Sequence, residues 1–182
     1  MATLLWTMLC SKVTVDQRTN TVSLIDVIEE ITISGQVSFV APTQGIAMMQ
    51  SLGGSPVPAE MSLSPGVALP AGAQPIPKNS VILPFEMDVV VAAARSHEGT
   101  PETTTGKLSL IFPDQTTVAF ESAFDLRLGE HLRARIITHI GGLPIRDAGT
   151  YYFRVAFQEE GSETWRDAGK VPFIVRFQNP GG

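Results

Sequence analysis

The polar residues with the clearest geometric claim to chemistry are His131, Arg133, Arg135 and His139. They alternate with Leu132, Ala134, Ile136, Thr138 and Ile140 along one stretch. Such alternation places the four on one face of a strand, with i and i+2 neighbours about 7 Å apart. Two arginines so spaced could receive an anion or a carboxylate, because each guanidinium offers a fork of donors. The competing and simpler reading is a solvated outer face. His131 and His139 lie roughly 25 Å apart along an extended strand, too far to share a metal ion.

Asp26, Glu29 and Glu30 form a second polar group. Two carboxylates can work as acid and base where a cleft separates their pKa values. A calcium shell would need a loop of Asp and Asn ligands, and none is nearby. Shielding of a sheet edge is the simpler account. Gly99 to Lys107 has the outline of a phosphate loop but fails in detail. Six residues separate its glycines where four are required, and Leu108 follows Lys107 where Ser or Thr would hold magnesium. It also leads into a strand, without the helix N-terminus that cradles phosphate. Neither a Gly-x-Ser-x-Gly elbow nor a His-Glu-x-x-His pair occurs. Cys10 is the sole cysteine, which excludes an intrachain disulfide and a thiolate metal site. It lies within an apolar run, where a buried thiol is inert. Trp6 and Trp165 read as core or edge packing. The expectation is a chain with no catalytic residue, no cofactor and no metal.

These side chains would be carried by strands, and the keystone is Asp147 to Gln158. Tyr151, Phe153, Val155 and Phe157 fall on one parity, and Tyr152, Arg154, Ala156 and Gln158 on the other. Large apolar residues at period two mark a half-buried strand. Asp147, Gly149 and Tyr151 have the Asp-x-Gly-x-Tyr spacing of the immunoglobulin tyrosine corner, in which the hydroxyl bonds back to the preceding backbone. Phe153 stands where an antibody domain has its second cysteine, so the core would be apolar and not cross-linked.

Other strands are legible at similar spacing. Residues 3–15 are apolar on both parities at first and read as a buried strand that ends at a rim. A turn at 16–20 and a second strand from Thr21 to Ser34 make residues 3–34 a long hairpin. Its apolar parity changes near Asp26, which predicts a β-bulge or a strand that switches sheets. Further strands run through Phe85 to Val91, Leu108 to Phe112, Val118 to Phe124 and 131–140, with Leu132 facing inward. Gly, Pro and Asp turns part them, and no helical periodicity intervenes. The expected fold is all-β, an antiparallel immunoglobulin-like β-sandwich in a single domain, 1–182.

The stretches Leu9 to Asp16, Thr19-Asn20 and Ser23 to Ile31 resemble the opening of an uncharacterised bacterial family known only as a domain of unknown function. Its Pro/Gly turn and Tyr-x-Phe-Arg-Val-type strand are similar to Gly149 to Val155, and the final strand to Val171 to Phe177. The resemblance covers the first 34 residues and roughly the last 95. It implies a bacterial β-sandwich and carries over no catalytic residue.

Pro42 to Pro84 departs from that pattern. This insertion holds eight prolines, five glycines and two charged residues, Glu60 and Lys78. Proline at this density forbids a continuous helix or an interior strand. Ile46, Met48, Met49, Leu52, Met61 and Leu63 give it the aliphatic content that disordered linkers lack. Such a surface fits a protein partner or self-association through the 42–84 loop.

The bulk numbers narrow the function classes. The chain of 182 residues has 13 basic and 18 acidic side chains and a net charge of −5. That balance argues against a nucleic-acid partner, which needs clustered Lys and Arg. No apolar run reaches the ~20 residues of a membrane helix. Leu4 to Cys10 is similar to a short signal or lipoprotein segment, but it has no basic n-region and no small residue before Cys10. The expectation is a cytoplasmic, non-catalytic interaction or structural module. A small-ligand (anion or carboxylate) binder or hydrolase on the Arg/His face is the alternative.

Overall fold

The computed structural model describes residues 2–16, 18–19, 21–34, 80–95, 102–129, 132–159 and 163–178. Their regular structure is entirely β, and no helix occurs among them. The strands are β1 (Ala2–Val15), β2 (Val22–Val27), β3 (Glu30–Ser34), β4 (Val81–Leu83), β5 (Met87–Arg95), β6 (Glu102–Ile111), β7 (Val118–Leu128), β8 (Arg133–Ile140), β9 (Leu143–Ile145), β10 (Gly149–Glu159) and β11 (Arg166–Gln178). A four-stranded sheet has the order β2-β1-β5-β8, and a five-stranded sheet the order β3-β11-β10-β6-β7. β4 and β9 form a two-stranded ribbon. Every pairing is antiparallel except that of β3 with β11.

The parity change near Asp26 has a structural cause. Asp26 adopts a left-handed backbone, φ 50°, which Asp tolerates better than most residues. Ile28 N–H still donates to Leu9 O at 2.9 Å, but Glu29 O accepts from Ile174 N–H in the other sheet. β3 then runs parallel to β11, Ile31 beside Val175 and Ile33 beside Phe177. The chain therefore crosses from one sheet to the other between Val27 and Glu30. The hairpin expected over 3–34 is confined to β1 with β2, and the remainder serves the opposite sheet.

Both larger sheets feed one hydrophobic core. β10 supplies its centre, since Tyr151, Phe153 and Val155 are fully buried and Phe157 is 3% exposed. Aromatic rings run on from there in sequence of contact. Phe112 meets Tyr151 edge-on at 5.7 Å, and Tyr151 stacks on Phe173 at 5.4 Å. Phe173 stacks on Phe153 at 5.6 Å, and Phe153 meets Phe120 edge-on at 6.0 Å. Offset and edge-on rings at these separations add attraction beyond the area they bury. Phe153 fills the position expected of it, with rings on two sides.

The corner at the start of β10 has the geometry its spacing predicts. Tyr151 Oη accepts from Arg146 N–H at 3.0 Å and Asp147 N–H at 3.2 Å, and donates to Asp147 O at 2.8 Å. Burial pushes the phenol's pKa up, so the hydroxyl stays a neutral donor. Gly149 holds φ +144°, and a Cβ there would press on Pro113 Cβ at 3.0 Å. Arg146 locks the corner to the β6–β7 turn. Its guanidinium donates to Asp147 and to Asp114, both at 2.8 Å, and lies over the Phe112 ring. Donors from Thr117, Arg146 and Thr116 hold the Asp114 carboxyl far below its ordinary pKa.

Three further expectations are corrected. β1 is not buried on both faces, because Leu5, Trp6 and Met8 are 43%, 36% and 40% exposed. Leu132 does not face inward and is also largely exposed, lying just before β8 begins. The 42–84 stretch is not irregular to its end, since Val81–Leu83 pairs with Leu143–Ile145 as a strand.

Candidate functional site

The outward side of the four-stranded sheet is the candidate site. Register defines its rows. Val27, Cys10, Asp88 and His139 are successive partners across β2, β1, β5 and β8. The next row is Met8, Val90 and Ile137, and the one beyond it Trp6, Ala92 and Arg135. Thr3, Ala94 and Arg133 follow, while Ile25 and Lys12 flank the first row on the other side. Directly opposed residues share a face. The alternate residues Met87, Val89, Val91 and Ala93 belong to the core, so these rows point away from it.

The face is apolar at its centre and partly open. Val90 and Ala92 are buried under their neighbours. Around them Trp6 is 36%, Met8 40%, Ile25 41%, Ile137 42% and Val27 55% exposed. A register shift between Leu4 and Trp6 turns both Leu5 and Trp6 outward while Leu4 stays packed against the core. A bulge re-aims side chains in this way.

Arg133, Arg135 and His139 all lie on this face, along β8. Ile137 separates Arg135 from His139, roughly 13 Å along the strand. His139 Nδ1 lies 3.0 Å from Asp88 Oδ1, and Asp88 Oδ2 accepts from Val13 N–H at 2.8 Å. His139 is thus tied to a carboxylate and is not gathered with the arginines. The carboxylate also satisfies a backbone donor on β1. Among the described residues the structure gives a rim of cations beside an apolar field.

His131 and the expected contact residues Ile46, Met48, Met49, Leu52, Met61 and Leu63 lie outside the described residues. Asp26 Oδ2 accepts from Ser11 Oγ at 3.2 Å, and Glu30 pairs with Arg176 at 3.0 Å. These two carboxylates have separate structural partners at the crossover, and Asp26, Glu29 and Glu30 are all exposed. Cys10 is fully buried, and its thiol donates to Asp88 O at 3.8 Å. Burial first and the Asp88 charge second push its pKa up, which holds it as an unreactive thiol. Among the described residues no group of three or more His, Cys, Asp or Glu could hold a metal ion.

Asp88 and Ile137 were missed as members of the site. The alternation of β5 marks Asp88 only as outward, and nothing in the local sequence names His139 as its partner 51 residues away. No helix among the described residues is long and apolar enough to cross a membrane. No family model matches the chain, and neither a curated protein nor a solved structure matches it.

Proposed function

We propose that the chain is a non-catalytic interaction module built on an immunoglobulin-like β-sandwich, and that it self-associates through the outward face of its four-stranded sheet. The strand order supports the architecture. The neighbours β7-β6-β10-β11 correspond to the C′-C-F-G sheet of a variable-type domain, and the corner on β10 falls on the F strand. β2 and β3 act as one first strand divided between two sheets, and β1 is an extra strand between β2 and β5. The resemblance of the chain's two ends to the uncharacterised bacterial family fits this reading.

The observation that carries the function is the field of half-open apolar side chains on this face, Val27, Met8, Trp6, Ile25 and Ile137. Trp, Met and Arg are the types enriched where proteins meet, and contiguous apolar patches on monomers are seldom large. Four strands about 4.8 Å apart make a flat field roughly 15 Å wide.

Light scattering over a concentration range tests the proposal. The native chain is expected to show a dimer mass that Met8→Glu and Ile137→Glu each abolish without loss of fold. A native chain that stays monomeric throughout overturns self-association. Replacing Thr43–Asn79 with a short Gly/Ser linker locates the surface. A dimer that survives this deletion supports the sheet face. A dimer lost on deletion but kept in both Glu variants refutes it in favour of the insertion.

A further inference from the structure

The outward side of the five-stranded sheet carries a feature that self-association does not use. Arg154 on β10 is registered with Lys170 on β11 and with Ser109 on β6. Lys107 sits one outward position along β6, opposite Ala156. Three cations on adjacent strands about 4.8 Å apart are therefore gathered on one face of a chain whose net charge is −5. Each lysine is held by an aromatic ring. Lys170 Nζ lies 4.5 Å from the centre of Tyr152, and Lys107 Nζ 4.6 Å from that of Trp165. Ala156 leaves room for Lys107 and Trp165 to meet across β10. An ammonium over a ring face is fixed in place yet keeps N–H donors for another partner.

The compensating charge is small. Glu121 pairs with Lys107 at 3.3 Å and accepts from Ser109 at 2.9 Å, so it is already engaged. Asp167, opposite Ala156 at the edge of the group, is exposed and accepts from Gly169 N–H at 3.2 Å. Lys170 and Arg154 make no ion pair with any described residue, and Arg154 Nε is buried without a hydrogen-bond partner among them. A buried guanidinium donor left unmatched between two positioned ammonium groups is costly unless an external acceptor completes it.

We propose that Lys107, Arg154 and Lys170 form a binding site for a tetrahedral oxyanion, a phosphate or sulfate group on a larger ligand. Donors arriving from three adjacent strands suit an anion with several equivalent oxygens, and Arg supplies the paired donors such groups accept. Tyr152 and Trp165 position the lysines and do not touch the anion.

Trp165 is the reporter. With Trp6→Phe in the full chain it is the only tryptophan left, and Lys107 lies on its ring. Titration with sodium sulfate and, separately, sodium phosphate should change its fluorescence saturably, while sodium chloride at matched ionic strength should not. Arg154→Gln should weaken binding about tenfold or more, as loss of a charge-assisted hydrogen bond predicts. Lys170→Ala should weaken it as well, which keeps the test decisive if the Arg154 variant does not fold. Glu121→Gln should strengthen binding by removing a competing carboxylate. Tighter binding of phosphate than of sulfate, increasing from pH 6 to pH 8, identifies a phosphate group; the reverse preference identifies sulfate. A response that is linear and equal for all three salts, or affinities unchanged in both cation variants, overturns the proposal.

Discussion

The corner at the start of β10 and the outward face around Met8 are built from the same kinds of residue and treated in opposite ways. At the corner, Tyr151, Phe153 and Phe173 are sealed from water, and the buried hydroxyl makes three hydrogen bonds. On the outward face, Trp6, Met8 and Ile137 lie over buried Val90 and Ala92 yet keep over a third of their own surface open. An apolar side chain stabilises the fold by the area it removes from water, so the first region carries stability. The second leaves much of its apolar area uncovered, and that remainder is available to a partner. Damage to the corner should therefore unfold the protein, whereas damage to the face should change its association.

The largest effect expected is that of Phe153→Ala. Removing a ring packed against Phe173 and Phe120 opens a core cavity, and a denaturant titration should show a loss of about 3–5 kcal/mol. A loss under about 1 kcal/mol would place the keystone elsewhere.

Tyr151→Phe comes next. The variant keeps the stacked ring but removes the partner of two part-buried backbone N–H groups and one carbonyl, for a loss of about 1–3 kcal/mol. Association should be unchanged wherever the variant is folded, and a change in mass would blur the contrast between the two regions.

A smaller effect should appear on acidification. Asp114's pKa is depressed in the folded chain below its ordinary 3.8, chiefly by Thr117 and then by Arg146. Its contribution is therefore fully present above about pH 4 and lost as pH falls through the lower folded value. The carboxylate is partly exposed, so solvent screening keeps the effect below that of Tyr151→Phe. Asp114→Asn should be somewhat less stable at neutral pH and should lose less stability between pH 4 and pH 2 than the native chain. Parallel acid profiles for the two would remove Asp114 from the corner's account.

The smallest change in stability belongs to the face. Ile137→Glu and Arg133→Gln should each stay within about ±0.5 kcal/mol, as exposed positions usually do. Ile137→Glu should nevertheless abolish the proposed dimer. A large loss of stability without a change in mass would make the face a covered part of the fold.

The inward half of β10 was readable from residue types alone. Tyr151, Phe153, Val155 and Phe157 alternate with polar partners, and alternation states which parity a core will take. The corner was equally local, since Asp147, Gly149 and Tyr151 lie within five residues and their spacing specifies the bond. The crossover after Val27 left a trace too, as a change of parity, although not its destination beside β11.

Partnership left no such trace. Cys10, Asp88 and His139 form one row, yet they lie 78 and 51 residues apart, and backbone ladders are nearly indifferent to the side chains they align. The first half of β1 is apolar on both parities, so its pattern could not say that Trp6 and Met8 stand open while Leu9 is buried. The same is true of Lys107, Arg154 and Lys170, each an ordinary outward cation on its own strand. What they share comes from the order β11-β10-β6, which follows from sealing one core between two sheets.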